Sequence, residues 1–271
     1  MRRVTAFLAA SVLTLSPCVA QDAAEQKSGA DPTDFITRYE PSFEHKTLDD
    51  GSHLDLMILR TDLSLRPNLS LRLDFPLAGF RPDPSLQAAG FESTFGFGDI
   101  VTQILYKPYS GNGRAAIVGL RVDWDTATEG ELGQGGTTYA PLGAFAFAPN
   151  PRWVFVPLAQ WFLGNNFDND PLSGERDRNA LSFRQLVIWE VGKPNLAYVL
   201  VDPEVIVDFE NNDDVTATLG VEFGKPFGRG TLLILKPTIG LTNDTTDWGI
   251  KFAFRHMFPG NFLLKSPKNR K

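Results

Sequence analysis

One short run near the C-terminus limits the possible folds of this chain more than any other segment. Read as a β-strand, residues 248–258 (WGIKFAFRHMF) place five apolar side chains on one face: Trp248, Ile250, Phe252, Phe254 and Phe258. Lys251 and Arg255 fall on the opposite face. A water-soluble protein has to cover such an apolar face with a second sheet. In lipid the face can point outward, provided that the sheet closes and leaves no unpaired edge. The run is therefore typical of an outer-membrane β-barrel.

The N-terminus predicts export. Two arginines precede an apolar stretch, residues 4–15, and small residues follow it up to Ala20. This arrangement predicts a secretory signal peptide, residues 1–20. Its removal also removes Cys18, the one cysteine, so that disulfides and cysteine-ligated metals are excluded from the mature chain. Residues 21–33 are small and polar, and we expect them to form a flexible periplasmic lead-in.

Composition narrows the class further. After residue 20, no stretch approaches the roughly 20 apolar residues that a transmembrane helix needs. A hydrophobic content of 42% fits alternating strands, which mix apolar with polar residues. The net charge of −6 and the pI near 5.1 argue against nucleic acid as a partner.

Alternation of apolar and polar residues recurs along the chain. Eight further runs show it, at residues 35–44, 59–65, 69–77, 100–107, 116–124, 153–161, 199–209 and 215–223. With residues 137–147, 179–191 and 230–241 and the C-terminal run, we count about twelve strands, an even number as single-chain bacterial barrels have. The predicted fold class is all-β: a single closed antiparallel transmembrane β-barrel over residues 34–258. A basic periplasmic tail, residues 259–271, follows it.

Short and long connections alternate between these strands. Tight turns rich in Pro, Asn and Gly are expected at residues 66–68, 110–113, 149–151, 192–195 and 225–228. Longer segments lie at residues 78–95, 125–136 and 164–178, and shorter polar ones at 49–52, 210–214 and 242–247. Short periplasmic turns that alternate with longer outer loops are the topology of outer-membrane barrels. This pattern predicts the bacterial outer membrane as the location, with both termini in the periplasm.

Aromatic residues lie near the strand ends on the apolar face: Trp124, Tyr139, Trp153, Trp161, Trp189, Trp248 and Phe258. We predict that these residues form an interfacial aromatic girdle, as in other membrane proteins. A periplasmic β-sandwich or lipocalin-like barrel is the alternative fold, because its sheets also alternate. Such a soluble domain has no need of aromatic residues at the strand ends.

The polar face predicts a charged lumen. Arg-x-Asp occurs at Arg60/Asp62, Arg72/Asp74 and Arg121/Asp123, and a spacing of two puts both members of each pair on the inward face. The predicted lumen-lining set also includes Gln103, Lys107, Arg184, Glu190, Asp202, Glu204, Glu222, Lys251 and Arg255. In one interpretation, cross-strand ion pairs lock the register and plug the lumen, so that removal of Arg72 leaves Asp74 unpaired. In the other, the charges line a water-filled path that selects solutes.

Signals for catalysis are weak. The three histidines lie outside any serine motif that a lipid-modifying hydrolase would need: His45, His53 and His256. We therefore predict no catalytic residue, cofactor or metal, and we expect no enzyme. The Asp/Asn-rich segments 168–170 and 211–214 offer oxygen ligands for Ca²⁺, although solvated loop polarity explains them more simply. Residues 96–99 (GFGD) are not a phosphate loop, because no helix is predicted to follow them.

A family resemblance covers residues 54–108. The hairpin of residues 62–77 (DLSLRPNLSLRLDFPL), the Gly-x-Gly-Asp motif of residues 96–99 and the strand of residues 100–108 (IVTQILYKP) occur in that order. This order resembles the MetA-pathway of phenol degradation family of outer-membrane proteins. The resemblance implies an outer-membrane barrel that passes aromatic or other small apolar compounds, and it transfers no site residue.

We therefore predict a passive outer-membrane channel or transporter for small solutes, with outer-membrane lipid and a small-molecule solute as its partners. The alternative hypothesis is a non-conducting barrel with a structural or envelope-interaction role, whose lumen is sealed by ion pairs. A third hypothesis, an outer-membrane lipid-modifying enzyme, lacks a recognisable triad.

Overall fold

The computed structural model describes residues 29–164, 178–191, 197–210, 214–227, 230–242 and 246–258. The predicted signal peptide, residues 21–28 of the lead-in and the basic tail lie outside these residues. The predicted turn at residues 192–195 and the Asp/Asn-rich segment 168–170 lie outside them as well.

The described residues form thirteen strands in one sheet. The strands are β1 (Thr37–Leu48), β2 (His53–Arg66), β3 (Leu69–Arg81), β4 (Thr94–Phe97), β5 (Val101–Gly111), β6 (Arg114–Asp123), β7 (Thr138–Asn150), β8 (Trp153–Gly164), β9 (Arg178–Val191), β10 (Ala197–Asp208), β11 (Asp214–Pro226), β12 (Thr231–Gly240) and β13 (Thr246–Phe258). A short helix, α1 (Pro84–Ala88), and a 3₁₀ turn (Gly130–Leu132) lie in connections. No helix in the described residues is long and apolar enough to cross a membrane.

The sheet closes on itself. All described pairs are antiparallel, β1 pairs with both β13 and β2, and β2 pairs with β3. The four-residue strand β4 pairs with residues 77–80 of β3, while β5 pairs with residues 69–74 of the same strand. Because β4 and β5 both pair with the same edge of β3, they occupy one position in the wall. The described barrel therefore has twelve strand positions and one additional short strand. The predicted closed antiparallel barrel of about twelve strands is confirmed.

The two ends of the barrel differ in their connections. At the short-turn end, two-residue turns join β2 to β3, β5 to β6 and β7 to β8. Asn112 and Gly113 both have positive φ, as a two-residue hairpin turn requires. The opposite, long-loop end carries residues 49–52, 82–100 and 124–137. Thr37 pairs with Phe258, so the barrel strands begin and end at the short-turn end.

One predicted connection is shorter than expected. The sequence predicts a loop from residue 78 to residue 95, whereas β3 continues to Arg81 and pairs with β2 as far as His53. Residues 94–97 add β4 at the far side of the same connection. The extension follows from alternation, because Ala78 is buried while its neighbours are more exposed. The four residues of β4, one of them glycine, are too few to reveal a period of two.

Strand alternation separates the two faces of the wall. On β13, Phe252 and Phe254 are exposed while Ala253 and Arg255 are buried. In a closed barrel the buried face lines the interior, and the exposed face meets the surroundings. Most of the exposed face is large and apolar, which is the pattern of a barrel whose surroundings are lipid.

Candidate functional site

The barrel interior is the candidate site, and its polar part is a set of ion pairs that we call the ion-pair belt. On β2 and β3, Arg60 donates to both oxygens of Asp74, at 2.9 and 2.7 Å. Arg72 Nε donates to Asp62 at 2.7 Å, and Asp62 also accepts from Arg38. The predicted dependence of Asp74 on Arg72 is therefore wrong. The register sets Arg60 against Asp74 and Asp62 against Arg72, so the bonded pairs run across the strands.

The third Arg-x-Asp pair lies within one strand. Arg121 donates to both oxygens of Asp123, two residues along β6, at 2.5 and 3.1 Å. The Arg121 guanidinium also lies 5.9 Å from the centre of the Phe162 ring, and the Arg178 guanidinium lies 4.4 Å from it. Cations at these distances are attracted by the face of an aromatic ring. This part of the lumen therefore combines two cations with a buried aromatic side chain.

A further part of the belt crosses β9, β10 and β12. Asp202 accepts from Arg184 Nε at 2.9 Å and from Lys236 Nζ at 2.7 Å. Glu204 accepts from the Ser182 hydroxyl at 2.7 Å. Arg184, Asp202 and Glu204 belong to the predicted lumen set, whereas Lys236 does not. Lys236 lies in an apolar run interrupted by Pro237, which weakens the alternation signal there.

The most buried ion pairs lie close to the short-turn end. Glu40 accepts from Lys251 Nζ at 3.0 Å and from Arg255 Nε at 2.5 Å. Arg255 Nη1 also donates to the Tyr198 hydroxyl at 3.1 Å, and that hydroxyl donates to Glu222. Lys251, Arg255 and Glu222 belong to the predicted lumen set, whereas Glu40 does not. Glu40 shares the inward face of β1 with Ser42, so alternation alone was sufficient to find it.

The other predicted lumen residues are less deeply placed. Lys107 Nζ donates to the carbonyl of Thr33 at 2.9 Å and lies 4.9 Å from the centre of the Phe35 ring. Gln103 is half-buried and lies between Arg72 and Arg121 in the register. Glu190 is half-buried near the short-turn end of β9.

The interior also has an apolar layer, which is not part of the predicted charged lumen. Its buried members include Val154, Val156, Leu186, Ile188, Tyr198, Leu200, Leu232 and Ile234. They occur in runs with apolar residues on both faces, such as residues 153–156 (WVFV) and 232–235 (LLIL). Loss of alternation was the available signal, because a polar lumen alone predicts polar residues at the inward positions.

Residues 29–36, here called the N-terminal segment, pack against apolar side chains inside the wall and so explain why this layer is apolar. Ala30 is buried in the same cluster as Val156 and Ile188, and Phe35 packs against Ile117 and Leu142 on β6 and β7. The segment therefore lies inside the barrel at the short-turn end. Residues 29–33 of the expected flexible lead-in are packed, since apolar side chains inside the wall give them a surface to bury.

Polar contacts hold the N-terminal segment at several points. The carbonyl of Gly29 accepts from Arg38 Nη1 at 2.6 Å and from Arg255 Nη1 at 3.0 Å. The Ser64 hydroxyl donates to the carbonyl of Phe35 at 2.8 Å. Gly29 has φ +64°, a backbone conformation that favours glycine, and a Cβ there would lie 2.8 Å from Met257 Sδ, so that the Met257 side chain would have to shift.

The N-terminal segment leaves space on one side. A cavity of about 190 Å³ lies between Asp31 and Thr33 of the segment and the wall formed by β5 to β8. Ala146, Ala148 and Val154 form its apolar side. The short-turn end is therefore constricted by the segment.

The lumen beyond this constriction is more accessible. Side chains of Arg60, Arg121 and Arg184 keep 24%, 34% and 30% of their surface accessible, although all three point inward. By contrast, the side chain of Arg255 near the short-turn end keeps 7%. Protein atoms therefore pack closely around Arg255 and leave space around Arg60, Arg121 and Arg184.

The predicted girdle residues are all exposed on the outer face. Trp153 and Trp189 stack at 5.9 Å near the short-turn end, where Phe258 also lies. The other four lie near the long-loop end: Trp124, Tyr139, Trp161 and Trp248. Two of their indole groups donate to neighbouring strands, from Trp124 to Thr102 at 3.0 Å and from Trp161 to Asn179 at 2.9 Å.

Residues 96–99 fasten a loop at the long-loop end. Asp99 Oδ1 accepts from the amides of Thr126 and Ala127 at 3.1 and 3.0 Å, and Oδ2 accepts from the amide of Gln134 at 2.7 Å. A Cβ on Gly96 would lie 2.0 Å from Thr128 Oγ1, so the glycine permits this loop to approach. The motif therefore holds the connection between β6 and β7 in place by hydrogen bonds.

The histidines lie on the outer face, away from the belt. His45 Nδ1 lies 2.7 Å from Asp55 Oδ1, and His256 Nδ1 lies 2.9 Å from Thr231 Oγ1. His53 stacks on His45 at 5.4 Å. In the described part of the chain, no group of three acidic, histidine or cysteine residues is arranged to hold a metal ion.

The fold is that of outer-membrane channel barrels. An outer membrane channel from Pseudomonas putida F1 is 15% identical, with 84% of this chain and 100% of that chain covered and a TM-score of 0.67. The NanC porin is 8% identical, with 82% and 98% covered and a TM-score of 0.55. The CymD monoaromatic hydrocarbon channel is 8% identical, with 88% and 94% covered and a TM-score of 0.50.

No protein-family model matches the sequence, and no curated protein matches it significantly. The resemblance to the MetA-pathway of phenol degradation family therefore stays a prediction. At these identities the solved structures establish the architecture of the chain.

Proposed function

We propose that this protein is a passive channel for small solutes in the outer membrane of a bacterium, with both termini in the periplasm. The observation that carries the proposal is the accessibility of Arg60, Arg121 and Arg184 inside a closed wall. In a barrel whose interior is closely packed, we would expect the inward charges to be fully buried. Inside a water-filled path they stay partly accessible and hydrated. An apolar, aromatic outer face supports placement in lipid.

We further propose that the solutes are small aromatic or other small apolar compounds. Phe162 between two guanidinium groups and the apolar layer around Val156 and Ile188 offer contacts to such molecules. The N-terminal segment restricts the path and excludes large solutes. The CymD channel, which has a similar fold, is described as a monoaromatic hydrocarbon channel, and the family resemblance implies the same class.

A second candidate is a non-conducting barrel with a structural or envelope-interaction role. The N-terminal segment favours it, because hydrogen bonds from Arg38, Arg255, Lys107 and Ser64 hold this segment across the short-turn end. In this case the closely packed pairs of Glu40 form a seal.

Single-channel recording of the purified chain in planar bilayers separates the two candidates. A channel gives discrete conductance steps, and a sealed barrel gives none. Liposome-swelling measurements with solutes of increasing size then test the constriction. We expect small solutes to enter and larger oligosaccharides to be excluded. Conductance without entry of a small neutral aromatic compound would contradict the proposed solute class while leaving the channel function intact.

A further inference from the structure

The short-turn end carries an exposed ring of cations that take no part in the ion-pair belt. Its four described members are Arg66, Arg114, Arg152 and Lys225, here called the basic rim. Each lies at or next to a different short turn, after β2, before β6, before β8 and near the end of β11. None of the four forms an ion pair with another described residue. The described residues of these turns include no Asp or Glu.

The opposite end has the reverse charge. The long-loop connections 49–52, 124–137 and 209–210 contain exposed carboxylates and no Lys or Arg: Asp49, Asp50, Asp125, Glu129, Glu131 and Glu210. Arg81 is also exposed at this end, at the end of β3, but it pairs with Asp55. Among the described residues, the exposed cations without an ion-pair partner are therefore segregated to the short-turn rim. General solubility does not require such segregation, since charges of mixed sign serve it equally well.

Aromatic side chains indicate where the basic rim lies relative to the lipid headgroups. On the outer face at this end, Trp153 stacks on Trp189 at 5.9 Å, and Phe147 stacks on Phe155 at 5.1 Å. Arg152 directly precedes Trp153, and Arg114 pairs with Phe147 in the register. Aromatic belts sit at the level of lipid headgroups. The rim cations thus lie at or just beyond the aromatic stack, where lipid phosphates lie.

We propose that the basic rim binds the headgroups of anionic glycerophospholipids in the membrane leaflet at the short-turn end. Arginine offers a planar fork of hydrogen-bond donors that matches a phosphate. Cationic side chains are also attracted to an anionic membrane surface. The rim tethers the short-turn end to this leaflet and helps to set the depth of the barrel. The inference rests on the proposed membrane location and is independent of whether the lumen conducts.

The test measures the selectivity of boundary lipid. The full chain is reconstituted into phosphatidylcholine vesicles, and the association of spin-labelled phosphatidylglycerol is compared with that of spin-labelled phosphatidylcholine. An attraction near 1 kcal/mol per cation corresponds to about a fivefold preference at each site. Averaged over the whole boundary, we expect about a twofold preference, which 1 M NaCl abolishes because charges are screened within about 3 Å.

The variant Arg66→Gln/Arg114→Gln/Arg152→Gln/Lys225→Gln is expected to lose this preference. Its matched control neutralises four charges at the other end, Asp49→Asn/Asp50→Asn/Glu129→Gln/Glu131→Gln, and should keep it. A preference that survives in the rim variant, or that falls equally in the control, would overturn the proposal. If the fourfold variant fails to fold, Arg66→Gln/Arg152→Gln and Arg114→Gln/Lys225→Gln should each lose about half of the preference, and no loss in either pair refutes it. A wrong membrane assignment shows itself separately, as failure of the parent chain to reconstitute.

Discussion

Arg60 is the described partner that neutralises Asp74, and it reaches that carboxylate from the neighbouring strand with two hydrogen bonds. Arg72 pairs instead with Asp62, which keeps a second cation in Arg38. The two arginines occur in the same sequence motif and have similar accessibility, yet their losses have different consequences.

Arg60→Gln should therefore destabilise the barrel more than Arg72→Gln. The first change leaves Asp74 without its charged partner and should cost about 1.5–3 kcal/mol, the range for hydrogen bonds to charged groups. The second leaves Asp62 paired with Arg38 and should cost about 0.5–1.5 kcal/mol. Urea unfolding in liposomes measures both. Equal costs would show that the two carboxylates share their cations.

Arg121 tests whether the belt lies in an ion path. Its side chain keeps 34% of its surface accessible, so Arg121→Gln should shift ion selectivity toward cations. Asp123 then adds an uncompensated negative field to the lumen. The reversal potential in a salt gradient reports the change, and Arg121→Lys, which keeps the charge, is the control. An unchanged potential in a conducting protein would place Arg121 outside the path.

Phe35 tests the constriction. Phe35→Ala removes the side chain that packs against Ile117 and Leu142, so the N-terminal segment should leave the lumen more often. Single-channel conductance is expected to rise, or to appear where the parent has none. Unfolding of the wall should change little, since the segment is not a strand of the sheet. Phe223→Ala, on the outer face, is the control and should leave conductance unchanged.

Leu219 and Thr218 test the assignment of faces. Leu219 points outward, and Leu219→Arg should cost about 2–4 kcal/mol near the middle of the bilayer. Thr218 points inward, and Thr218→Arg should cost much less. Ser70 also points inward but is a poorer control, because it is only 5% exposed. Equal costs at positions 218 and 219, measured by folding into liposomes, would indicate a register shifted by one residue.

Asp99 tests whether its hydrogen bonds hold the connection between β6 and β7 at the long-loop end. Asp99→Asn keeps one carbonyl oxygen for the amides of Thr126 and Ala127 but replaces the oxygen that accepts from Gln134 with a donor. Hydrogen exchange at the Gln134 amide should therefore accelerate while exchange at Thr126 changes little. Asp99→Ala should accelerate exchange at all three amides. Slow exchange at Gln134 in both variants would show that other contacts hold this loop.

Much of the fold could be predicted from the sequence because a period of two is a local property. Phe252 and Arg255 are assigned to opposite faces by counting residues along one strand, and the turn at Asn112 and Gly113 is visible in its residue types. The charges of Arg60, Arg121 and Asp202 were found for the same reason. Lys236 was missed because its strand is apolar on both faces.

What the sequence by itself determined is therefore the closed alternating wall, the direction in which most side chains point and the presence of charge inside. Only the tertiary structure decided which charges meet, because the register that sets Arg60 against Asp74 depends on two strands at once. It also decided that residues 29–36 lie within the barrel, and that Asp99 clasps a loop about 30 residues further on. Contacts of this kind join residues that are distant in the chain, and no local pattern encodes their distance in space.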